Sequence, residues 1–188
     1  VGIGSAFVLD AAVNPDFSEV ESDEPQITVN ERFEVLFPER RPFFVENAGY
    51  FNTPVPLFFS RRILDPGVGV RMTGKSGGWI TGGLVAPDRE TPEAAAALAA
   101  VGSVRRDVGR DSHIGALVTL RQSSGVTNRV LSADGRWTKG KNWVVVGQLV
   151  GTSGSNGGNQ TAGGALLGEV SRSSRRFELV GRYTDLSP

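Results

Sequence analysis

A chain of 188 residues suits one domain with a sizeable core, and its 20 basic residues balance its 20 acidic ones. That neutrality leaves no electrostatic footprint for nucleic acid, and the absence of Cys excludes a disulfide framework, a thiolate metal site and a Cys nucleophile. No run of about 18 apolar residues occurs, so no membrane-spanning helix is expected.

The opening VGIGSAFVLD alternates like a strand and has neither Met nor the basic start of a signal peptide. It predicts a first strand over 1–13 of a mature protein or, preferably, of a fragment of a longer one. Residues 14–62 are of different material. They hold eight of the ten Phe, six of the ten Pro, nine acidic residues and five Arg, but one of the 25 Gly. An irregular, plug-like insert is expected there.

Residues 63–188 read as a strand ladder. Segments 68–75, 78–85, 112–121, 128–138, 142–151, 162–171 and 176–184 alternate between two unlike faces. In 128–138, Arg129, Leu131, Ala133, Gly135 and Trp137 oppose Val130, Ser132, Asp134, Arg136 and Thr138. Leu117 interrupts the polar face of 112–121. Turn chemistry at Lys139–Lys141 and Ser171–Ser174 predicts short connections, and 86–100, 121–127 and 151–161 are expected to be longer. Ten residues at about 3.3 Å each, tilted near 40°, rise roughly 25 Å, which matches the apolar band of an outer-membrane barrel. Trp79, Trp137 and Trp143 lie close to turns, as an interfacial aromatic girdle or the core of a soluble sandwich would place them. Glu93–Ala100 (EAAAALAA) lacks alternation and predicts a short helix or a mobile loop.

Four constellations invite a chemical reading. Gly69–Ser76 spells the P-loop expression, but bulky alternating residues fill it and GGWITGGL after it reads as a strand, so nucleotide binding is rejected. His113 beside Asp111 and Ser112 is no triad, because neighbours along a strand point to opposite faces. A lone His without Cys makes no zinc site. The acidic run Asp16, Glu19, Glu21, Asp23 and Glu24 supplies oxygen ligands for a hard cation, yet lacks an EF-hand's order and is equally a solvated face. Arg40, Arg41, Arg61 and Arg62 either neutralise these acids in an internal ion-pair network or line a lumen and contact an anion or a sugar. Phe43–Phe44 and Phe58–Phe59, if extended, place one ring on each side. No catalytic residue and no cofactor is assigned.

Three stretches carry a resemblance: NPDFSEVESDEPQ (Asn14–Gln26), FPERRPFFVEN (Phe37–Asn47) and LFFSRRI (Leu57–Ile63). VRRDVGR (Val104–Arg110) and the segment Asn128–Trp137 add to it. Together they resemble a family of bacterial outer-membrane β-barrel proteins of unknown function, whose members typically carry a carbohydrate-binding domain of the family 9 type ahead of the barrel. The resemblance implies an all-β, antiparallel up-and-down transmembrane barrel of which this chain is the N-terminal part, in the outer membrane of a Gram-negative cell. It implies lipid as the surrounding partner and glycans as candidate solutes, with no nucleic acid and no nucleotide. It offers no catalytic residues to carry over. The rival reading is a soluble carbohydrate-binding or carbohydrate-hydrolysing β domain, which the many Gly on both strand faces argue against.

Overall fold

The computed structural model describes residues 2–3, 6–14, 39–90, 95–140, 142–174 and 178–187. They form one antiparallel sheet of ten strands in sequence order. The first, β1 (Gly2–Ile3), is a two-residue stub, followed by β2 (Phe7–Val13), β3 (Val68–Ser76), β4 (Trp79–Asp88) and β5 (Ala97–Asp107). The ladder continues with β6 (His113–Ser123), β7 (Val126–Lys139), β8 (Trp143–Asn156), β9 (Asn159–Ser173) and β10 (Glu178–Ser187). Each strand pairs only with its neighbours in the chain, so the sheet is all-β, up-and-down and open, with β1 and β10 at its edges.

Two expectations about connections are corrected. Residues 121–127 and 151–161 are not long loops: Ser124–Gly125 and Gly157–Gly158 close tight turns, and β7, β8 and β9 run for 14, 14 and 15 residues. Gly157 and Gly158 both adopt positive φ (56° and 94°), the conformation a two-residue hairpin needs and that Gly supplies without strain. Nor is Glu93–Ala100 a helix or a loop in its described part, because Ala97–Ala100 open β5. Ala97 and Ala99 alternate with Leu98, and their small side chains are buried beneath the insert. Tertiary packing overrides the local helix preference there.

The insert enters after β2 and returns at β3. Its described part carries a helical turn, α1 (Pro42–Val45), and two 3-10 turns at Ala48–Phe51 and Ser60–Arg62. Phe43 and Phe44 therefore do not splay to opposite sides of extended backbone. Both are buried, in an edge-to-face pair 5.2 Å apart. With Phe51 and Ile63 they cover Leu84, Ala86, Ala99, Val101 and Leu117 of the sheet. Burying each of these rings is worth about 2 kcal/mol. Leu117 breaks the polar face of β6 because it lies in this contact, at 1% exposure. Glycine sets how closely the insert approaches: a Cβ added at Gly69 would stand 2.6 Å from the Phe43 ring.

Candidate functional site: the insert-covered face

The two faces of the sheet differ in chemistry and in burial. The face beneath the insert carries the buried polar side chains: Arg71 (1% exposed), Asp88, Ser132 and Gln148. The opposite face is apolar and open, with Ile114, Leu131, Trp137 and Leu149 all 56% exposed or more. Charged side chains on that open face, such as Arg106, Lys139, Arg172 and Asp185, sit near strand ends. Trp79, Trp137 and Trp143 share this face and lie at the same end of the strands. The Arg106 and Arg172 guanidinium groups stack over Trp79 and Trp143 at 4.8 and 4.9 Å.

The insert is held to the polar face by charged and amide side chains whose partners are backbone groups. Arg71 rises from β3 and donates to the carbonyls of Phe43 and Glu46 at the end of α1, and to Asp10 of β2 at 2.8 Å. Asp88 ends β4 and accepts the backbone N–H groups of Leu64 and Asp65 at 3.0 and 2.6 Å. Gln148 of β8 clamps Val55, accepting its N–H at 2.6 Å and donating to its carbonyl at 3.3 Å. Ser103 donates to the Tyr50 carbonyl at 2.7 Å. These contacts satisfy irregular backbone with sheet side chains, as burial of such backbone requires.

The four arginines singled out in the sequence have different surroundings. Arg41 is buried within the insert. It donates to both carboxylate oxygens of Glu39 (2.9 and 2.8 Å), to the Ile63 carbonyl (2.8 Å) and to the Ser60 carbonyl (3.0 Å). It also lies 4.4 Å from the centre of the Phe44 ring. Burial works to raise the Glu39 carboxyl, but the hydrogen bonds from Arg41 and Ser60 outweigh it and hold it at about 2, against a usual 4.5. Arg40 is exposed, its backbone N–H bonding Glu39. Arg61 is half-buried. Arg62 is exposed, with its guanidinium 5.9 Å from the Phe59 ring and its carbonyl accepting from Arg121. Asp16, Glu19, Glu21 and Asp23 lie outside the described residues, among which no cluster of three His, Asp or Glu fit for a metal ion occurs. Gly69–Ser76 lies within β3, so the P-loop spelling is strand.

Residues 1–73 match the family model of a domain of unknown function (DUF5916). The DUF5916 match takes in β1, β2, the whole insert and most of β3, so it includes all three long stretches quoted above and stops before Val104–Arg110 and Asn128–Trp137. No curated protein and no solved structure matches the chain. The chemistry of the rest must therefore be read from its geometry.

That geometry contains a second feature that the sequence reading missed. Beyond the edge of the insert core, Asn52–Val55 overhang a cleft of about 540 Å³ on the polar face. Arg105, His113, Asp134, Arg136, Glu169 and Arg182 line it from β5, β6, β7, β9 and β10, with Val146 of β8 between them. Glu169 and Arg182 pair at 2.6 Å, and His113 stands 3.8 Å from Asp134. A signal for Gln148 was present in the sequence: it is the single amide among Val144, Val146 and Val150 on one face of β8. Arg71 likewise is the one charged residue in the interior of VGVRMTGK.

Proposed function

We propose that the chain forms part of the wall of an outer-membrane β-barrel, with the insert seated on the inner, polar face as a constriction. The observation that carries this reading is the inversion of burial. Ile114, Leu131 and Leu149 are open on one face while Arg71, Asp88 and Gln148 are covered on the other. A soluble sandwich would turn the apolar face inward against a second layer. Nine strands about 4.8 Å apart make a band roughly 40 Å wide, and the apolar height is about 25 Å, so the open face approaches ~1,000 Å². Soluble monomers rarely show patches above about 600 Å². Lipid is the solvent that suits such a face.

Two further features support the same reading. The three Trp at one end, with Arg106 and Arg172 over two of them, have the arrangement of an interfacial girdle. Where Gly83 pairs with Gly102, an apolar groove of about 370 Å³ opens between Val70, Met72, Val85 and Val118, a shape suited to an acyl chain. The inner face then carries the insert, and the resemblance in the sequence makes glycans or their fragments the first solutes to try.

Full-length protein extracted from outer membranes should migrate differently on a detergent gel before and after boiling. Migration unaffected by boiling opposes the barrel. Deleting residues 20–58 should raise conductance in a planar bilayer. Unchanged conductance removes the constriction role while leaving the barrel intact.

A further inference from the structure

The cleft beside the insert holds two cations that make no ion pair or hydrogen bond among the described residues. Five arginines of β3 to β10 face the insert side: Arg71, Arg105, Arg121, Arg136 and Arg182. Arg71 is committed to α1 and Asp10, Arg121 to Asp88 and the Arg62 carbonyl, and Arg182 to Glu169. Arg105 and Arg136 make no ion pair or hydrogen bond among the described residues, yet both line the cleft. The strand register brings them together. Arg105 pairs with Gly115 and Gly115 with Asp134, while His113 pairs with Arg136 in the next row. All of these positions point to the insert side.

Gly115 is the gap in this constellation. A Cβ there would stand 3.0 Å from Asp134 Oδ1, so the missing side chain lets the Asp134 carboxylate lie across β6. Asp134 is itself almost covered, at 7% side-chain exposure. With Glu169 and Arg182 cancelling, two guanidinium groups face one carboxylate, which leaves the cleft net positive. The Gln148 clamp fixes the overhang at Val55, so Asn52 and Thr53 stay over the same volume. Thr184 adds a hydroxyl to the lining from β10.

We propose that this cleft binds a small hydroxylated carboxylate. The Arg105 and Arg136 guanidinium groups take the carboxylate, the geometry for which Arg forks are suited. Asp134, Thr184 and Asn52 take hydroxyl groups. A cation would meet the positive field of two guanidinium groups, and an uncharged polyol would leave both without a charged partner. A volume of about 540 Å³ lies within the usual range for small-molecule sites.

The test is calorimetric titration of the full-length, detergent-solubilised protein with sodium gluconate, at constant ionic strength, with sorbitol as its uncharged counterpart. Binding is read whether or not the sheet lies in a membrane, so failure here and failure of the barrel reading are separable. Gluconate should bind and sorbitol should bind at least about tenfold more weakly, since a hydrogen bond to a charged group is worth that much. The double variant Arg105→Gln/Arg136→Gln should lose gluconate binding by about tenfold or more, while Arg182→Gln retains it. A far-ultraviolet circular dichroism spectrum matching the parent's shows that each variant has folded, and Gly115→Ser, which crowds Asp134, provides a second route to loss. Equal affinity for gluconate and sorbitol overturns the proposal, as does unchanged affinity in the double variant. Inorganic phosphate binding as tightly as gluconate overturns the assignment to hydroxycarboxylates.

Discussion

Replacing Arg41 by Met should unseat the insert without disturbing the sheet. Arg41 is 8% exposed, and its guanidinium donates to both Glu39 carboxylate oxygens and to the Ile63 and Ser60 carbonyls. Met fills much of the same volume, so the loss is electrostatic rather than a cavity. The variant leaves the Glu39 carboxylate, 14% exposed, without its counter-ion, and two carbonyls without a donor. Breaking a buried pair from one side costs about 3–5 kcal/mol. Partial exposure of Glu39 and the Ser60 hydroxyl that still donates to it at 2.6 Å place the expected loss near ~3 kcal/mol. That is about a hundredfold rise in local opening. Hydrogen exchange of the peptide spanning 41–63, read by mass spectrometry, measures it directly, with the β7 and β8 peptides as internal controls. Glu39→Gln combined with Arg41→Met should recover part of the protection, because no lone charge remains. Arg41→Lys should not, because an ammonium cannot span Glu39 and two carbonyls as the planar fork does. Exchange in 41–63 within about twofold of the parent in Arg41→Met would refute the view that this ion pair holds the insert.

Acid should loosen the same segment. Glu39 sits at about 2 in the folded insert against 4.5 when free, so its contribution is complete above about pH 5 and is lost as pH falls through 4.5 toward 2. The loss amounts to at most ~3 kcal/mol of local stability. Exchange of 41–63 extrapolated to a common intrinsic rate should rise over that window and stay flat in Glu39→Gln; a flat parent profile contradicts the assignment. Gln148→Leu should free the overhang at Val55. It removes two hydrogen bonds to Val55 and one to Ser132, which is 1% exposed, so about 2 kcal/mol of local protection is expected to go. The Val55 amide should exchange faster while β8 amides hold, and gluconate affinity should fall with it; an unchanged Val55 amide opposes the clamp.

Strand alternation made most of the ladder legible. His113–Arg121 and Arg129–Thr138 show one apolar and one polar face, and the same division appears in β6 and β7. The start of β5 was hidden because six Ala and a Leu among eight residues favour helix locally, and only the rings of the insert make that stretch a strand. The turns at Ser124–Gly125 and Gly157–Gly158 were hidden for a related reason. Ser, Thr, Gly and Asn populate both β8 and β9 near the hairpin, so polar strand ends looked like loop. The contrast between 14–62 and the rest was plain in composition, but composition could not tell a helical turn at Phe43–Phe44 from extended chain. The site had a different limit. Arg105 is far in the chain from Asp134 and Arg136, and only register, two adjacent rows of pairs across β5, β6 and β7, brings the three to a single cleft. A shift of one residue would send all three to the opposite face.

Site-directed nitroxide scanning of β7 tests the central claim most directly, and a chain without native Cys makes single Cys variants clean. In full-length protein reconstituted into bilayers, labels at Leu131, Ala133 and Gly135 should relax readily with oxygen and poorly with a water-soluble nickel complex. Labels at Val130, Ser132 and Asp134 should show low oxygen accessibility, with a period of two between the sets. Leu131, Ala133 and Gly135 reached freely by the nickel complex, or shielded from both agents, would contradict a lipid-facing sheet.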